Sequence, residues 1–155
     1  MIKNSMNNFE GADEQLLARR KAGFAAFKSE RLPVLHEFCT SLGFEQPHEV
    51  LNTPGKFLAQ LDSGFRSAVI SEANRVWFIT RIGYYIGEYL ATRYDGYWQV
   101  DEDPASPTFA RYVVGGFSFD GVTTPMVDPM EMAQVYADTP VPRSLVQEID
   151  KVLIK

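Results

Sequence analysis

The stretch RIGYYIGEYLATRYDGYWQVDED, residues 81–103, gathers the side chains most able to do chemistry. It holds five of the seven tyrosines, one of the two tryptophans and five carboxylates. Arg81, Tyr84 and Glu88 follow one another at intervals of three and four, so on a helix they share one side. A glutamate among aromatic and aliphatic neighbours needs a partner or a displaced pKa if it is buried. Two chemistries follow. Glu88 is an acid/base or recognition carboxylate in a pocket with Arg81 and Tyr84, or it is held by a backbone amide, a tyrosine hydroxyl or an arginine. The second is the commoner fate of a buried acid.

Just downstream, Asp101, Glu102 and Asp103 stand in a row ahead of two prolines. A calcium loop of the EF-hand type needs alternating ligands, a glycine at its sixth place and a distal glutamate. That pattern is absent. The row reads as a solvated acidic loop, or as the negative edge of a site for a basic partner. Tyr97 and Trp98 precede it, and these residue types dominate protein-binding hot spots. Tyr97, Trp98, Asp101, Glu102 and Asp103 are therefore the candidate partner-binding set.

Other chemistries lack their residues. His36 and His48 lie twelve apart with Cys39 between them, without the paired short spacings of a zinc site. No metal site is expected. There is no GxSxG, HExxH, P-loop or GxGxxG, so neither a catalytic set nor a cofactor is expected. Gly115-Gly116 reads as a bulge or strand end.

These residues must be positioned by a modest scaffold. The chain has 155 residues, 45% of them hydrophobic, enough for one domain with a sizeable core. The net charge of −5 argues against a nucleic-acid backbone as partner. Residues 1–75 balance nine bases against nine acids, whereas residues 76–155 set six bases against eleven acids. The acidity lies in the second half, where it could steer a basic partner. One cysteine excludes an internal disulfide, and no apolar run is long enough for a signal peptide or a membrane span. A cytoplasmic location follows as the expectation.

Residues 1–10 read as a loose leader and residues 11–155 as a single domain. A helix is expected from about Ala12, with Leu16, Leu17, Phe24 and Phe27 as its stripe and the stems of Arg20 and Arg31 extending it. Pro33 should interrupt or restart it. Thr53-Pro54 should open a short helix that Gly64 ends. A long helix is expected over residues 71–94, with Val76, Ile79, Gly83, Ile86 and Leu90 on one inner face. Gly83 and Gly87 leave a groove on it for another helix or the sheet. Then the period changes. GYWQVD and FARYVVGGFSF read as strands, with a third inside FDGVTTPMVD after an Asp-Gly hairpin signal. Asp128 caps a helix with Pro129 at its first position, and a last helix turns Leu145, Ile149 and Val152 inward. The fold class is α+β: N-terminal helices, a long central helix, a small antiparallel sheet and two C-terminal helices.

The run IGYYIGEYLATRYDGYWQVD followed by YVVGG resembles a pattern in small bacterial proteins of unknown function, some of them similar to immunity proteins of toxin systems. The likeness covers residues 76–116 and brings no catalytic residues. It implies a small cytoplasmic bacterial protein that binds another protein. A non-enzymatic protein-binding domain is the first reading. A small enzyme or ligand-binding domain around Glu88 is the alternative, and a homodimer through paired aromatic strands is a third.

Overall fold

A computed structural model describes residues 2–118 and 120–154, with residues 2–10 described by their backbone alone. Helix α1 (Ile2–Ser41) is followed by short 3-10 turns at Pro47–Leu51 and Pro54–Phe57, then α2 (Leu58–Phe65) and α3 (Glu72–Arg93). Strands β1 (Tyr97–Val100), β2 (Tyr112–Gly115) and β3 (Met126–Val127) come next, and α4 (Pro129–Asp138) and α5 (Leu145–Asp150) close the chain. The order is that of the expected α+β fold.

Helix α1 departs from expectation twice. Its backbone is helical from Ile2 rather than from about Ala12, while the side chains of the expected leader lie outside the described residues. It also runs through Pro33 without a break. A proline inside a helix removes a backbone bond and costs about 3 kcal/mol. Anchors on both sides hold the axis: Arg31 is tied to Glu88 before the proline, and Leu35, Phe38 and Cys39 are buried after it. Pro33 itself faces solvent.

The second short helix begins as a 3-10 turn, and the Thr53 hydroxyl donates to the Glu49 carbonyl instead of capping it. Gly64 lies inside α2, which ends one residue later.

Helix α3 is the centre of the molecule. It matches the expected span, but Val76 is 76% exposed rather than on the inner face. Val76 lies on the outer side of the first turns of α3, whose other side packs Phe78 against Phe65 and Tyr136 and pairs Arg75 with Asp138. Burial becomes continuous from Ile82 to Glu88, where α1, α4 and the sheet close around the helix. The two glycines make this approach possible. A Cβ on Gly83 would collide with the Met130 side chain of α4, and one on Gly87 with the Trp98 ring of β1. The groove thus receives a helix at one glycine and the sheet at the other.

The sheet has the order β1-β2-β3, antiparallel throughout, with Trp98 opposite Val114 and Val114 opposite Val127. Strand β2 is shorter than the expected FARYVVGGFSF. Ala110 takes a left-handed φ of 63° and its amide donates to the Asp101 carbonyl, which turns the chain before β2 starts. Asp120-Gly121 is not a tight hairpin turn. It sits in the longer connection between β2 and β3, where Gly121 meets the Tyr94 ring and Val122 bridges to Leu153.

The last two helices follow their local signals. Asp128 accepts a bond from the Glu131 amide at 3.1 Å, with Pro129 in the first turn of α4. Ser144 likewise caps α5 through the Gln147 amide, and Leu145 and Ile149 are buried. One buried cluster draws side chains from α1, α2, α3, β3, α4 and α5.

Candidate functional site

Glu88 is buried and its partners come from two other elements. Arg31 Nε of α1 donates to Glu88 Oε1 at 2.6 Å, and Trp98 Nε1 of β1 donates to the same oxygen at 3.1 Å. Arg31 is steadied by a second bond from Nη1 to the Lys28 carbonyl. Phe27 packs edge-on against Trp98 at 5.0 Å and at a tilt against Tyr84 at 5.2 Å. The carboxylate therefore ties α1, α3 and β1 together at the place where α3 is most enclosed. An ion pair and an indole N–H supply the compensation a buried acid requires.

The expected pocket does not assemble. Arg81 lies over the Trp77 ring at 4.6 Å and donates to the Trp77 carbonyl, away from Glu88. Tyr84 is buried against Phe27, and burial first, then the nearby Glu30 charge, raises its hydroxyl pKa. Arg81, Tyr84 and Glu88 share a helix, but among the described residues no hydrogen bond joins their side chains. The partner that sequence reasoning missed, Arg31, had a local signal: Phe27, Arg31 and Leu35 recur every four residues, which puts the guanidinium on the buried face of α1.

The acidic loop divides into buried and exposed parts. Asp101 is 1% exposed. It accepts bonds from Ser106 Oγ at 2.5 Å, Thr108 Oγ1 at 2.6 Å and the Asp103 amide at 3.1 Å. Burial pushes its carboxyl up, but these three bonds outweigh burial and hold it below the ordinary value. Asp101 is thus the hub that shapes the loop. Trp98 is buried too, its ring filling the space over Gly87. Both are corrections to the partner-binding set, since neither presents its side chain to solvent.

Tyr97, Glu102 and Asp103 remain outside. Tyr97 is 59% exposed, and its ring lies so close to Gly116 that a Cβ there would clash with it. Glu102 pairs with Lys21 at 3.0 Å with both side chains more than half exposed. Asp103 accepts from the Ala105 amide at 2.9 Å and is exposed. Adjacent strand residues point to opposite faces, so Trp98 turned inward leaves Tyr97 turned outward.

Elsewhere, burial pushes the Cys39 thiol up to about 11, which makes it a poor nucleophile. Among the described residues no group of histidine, cysteine and carboxylate side chains could hold a metal ion. Among the described residues no helix is long and apolar enough to cross a membrane. A cleft of about 300 Å³ lies between α1, the turn before β2 and the start of α4. Arg111 Nε and Asp128 Oδ2 meet there at 2.7 Å, the distance of an ion pair, though the angle is not that of a hydrogen bond. Comparison with family models, with curated proteins and with solved structures finds no match.

Proposed function

We propose that this chain is a non-enzymatic protein-binding domain that meets a basic partner through the surface of Tyr97, Glu102 and Asp103. The observation that carries the reading is the Tyr97 ring, 59% exposed on a strand locked from behind by Trp98. A large aromatic side chain held on a rigid strand is ready for burial in a partner at little entropic cost. The carboxylates that follow the other end of β1 add charge complementarity, and the exposed Lys21–Glu102 pair is worth only about 0–1 kcal/mol, so an incoming base displaces it readily. The Glu88 node supports the same reading from the other side, because its buried carboxylate is already occupied by Arg31 and Trp98. An immunity-like role in the bacterial cytoplasm fits a small acidic binder of this kind.

Affinity purification of the full chain against the products of neighbouring genes in its host tests the proposal. A protein held by the wild type should be released by Tyr97→Ala, and its association should slow at low salt when Glu102 and Asp103 are reversed to lysine. Retention of the partner by all of these variants would overturn it.

A further inference from the structure

We infer that the cleft between α1, residues 109–112 and the start of α4 is a binding site for a small carboxylate carried on an apolar body. The chain as a whole is acidic, yet this cleft is lined by two arginines, Arg20 and Arg111, against one acid, Asp128. Arg111 is oriented from below. Its Nε faces Oδ2 of Asp128, whose side chain is 4% exposed and whose other oxygen caps α4. That arrangement leaves the Nη groups of Arg111 without a hydrogen bond among the described residues, on a side chain 47% exposed. Burial pushes the Asp128 carboxyl up, against the opposing effects of the Glu131 amide and the Arg111 charge. The shift reflects how far the anchoring group is withdrawn from water.

Arg20 is placed by its own backbone. Tyr112 Oη donates to the Arg20 carbonyl at 2.6 Å, which pins this turn of α1 to β2. The Arg20 side chain is exposed and makes no ion pair among the described side chains. Arg19 and Arg20 also line an adjoining hollow that shares Leu16 and Tyr112 with the cleft. The apolar residues of the lining are Leu16, Phe109, Ala110, Tyr112 and Met130. Two arginines on the lining of a largely apolar cleft match a carboxylate with a hydrocarbon or aromatic tail. The carboxylate would take the free N–H groups of Arg20 and Arg111, and the tail would cover the floor. This site shares no residue with the Tyr97 surface but adjoins it, since Lys21, next to Arg20, pairs with Glu102.

Calorimetric titration of the full chain with 3-phenylpropionate, its neutral amide and N-acetyl-glycyl-phenylalanine tests it, with methyl NMR signals of Leu16 and Met130 locating the ligand. The acid should bind saturably with a Kd of about 1 mM or tighter, and the amide should not. Arg20→Gln, which breaks no side-chain hydrogen bond or ion pair among the described residues, should weaken the acid at least about tenfold, the size of one charge-assisted bond. Arg111→Gln should do the same, with circular dichroism confirming the fold. Binding of the peptide as well as the acid would make a chain terminus the natural source, and binding of the acid alone a free metabolite. Absence of saturable binding up to about 10 mM would overturn the inference. So would equal affinity for acid and amide, or an unchanged Kd in both arginine variants.

Discussion

Replacing Gly87 by alanine should unsettle the molecule at its centre. In an exposed helix the change would stabilise by about 1 kcal/mol. Here the new methyl would stand about 2.6 Å from Cε2 and Cη2 of Trp98 and still closer to Cζ2. The indole has little freedom to retreat, because Phe27 lies edge-on at 5.0 Å and Nε1 is bonded to Glu88. Overpacking of this kind costs about 1–3 kcal/mol. Moving the ring also breaks a bond to a carboxylate, a further loss of about 1.5–3 kcal/mol. Set against the helix gain, the net loss is about 2–5 kcal/mol, or about 5–15 °C in Tm for a domain of this size. Gly64→Ala is the control, since a Cβ at this position in α2 meets nothing within 4 Å, and it should raise stability by about 0.5–1 kcal/mol. Urea and thermal unfolding of both variants measure the difference. A Gly87→Ala protein as stable as the wild type would refute the packing of Trp98 over α3.

Three further outcomes follow from the same geometry. Arg31→Met should lower stability by about 2–3 kcal/mol, less than the loss for a fully buried pair because the Arg31 side chain is 20% exposed; an unchanged urea midpoint would contradict it. Cys39 should resist Ellman's reagent at pH 8 until the chain unfolds, and rapid labelling of the native protein would show that the thiol is not buried. Because its pKa is raised on folding, Cys39 contributes stability that is complete below the ordinary thiol value of 9.0 and lost as pH climbs toward about 11. Asp101 has the opposite sign: its lowered pKa contributes stability above the ordinary carboxyl value, lost as pH falls through the folded value. Asp101→Asn should flatten that acid limb, and an unaltered stability profile between neutral and acid pH would argue against the loop hub.

The features legible in the sequence are those with a local cause. The span of α3, the Asp128-Pro129 start of α4 and the inward Leu145 and Ile149 of α5 follow from apolar period and capping chemistry within a few residues. The glycine pair on α3 signalled close approach, although only the fold shows that Met130 and Trp98 take one glycine each. The partner of Glu88 lies 57 positions away in the chain, and although the spacing of Phe27, Arg31 and Leu35 puts Arg31 on the buried face of α1, no spacing says which acid it meets. Tyr97 and Trp98 had to face opposite ways, but which one faces inward depends on the helix behind the sheet. Asp101 carried an overlooked signal in Ser106 and Thr108, hydroxyls placed to close an acid-centred loop. Pro33 misled because proline propensity is a local cost, whereas the anchors that outweigh it are tertiary.

Binding through the Tyr97 surface is tested most directly by photocrosslinking from that position. With p-benzoylphenylalanine in place of Tyr97, cells of the host should yield one discrete adduct with a basic protein, which the wild-type chain competes away. The same probe at Gln60, an exposed position on α2, should give none. A Tyr97 probe that gives no competed adduct, or the same adducts as the Gln60 probe, would contradict a partner-binding role for this surface.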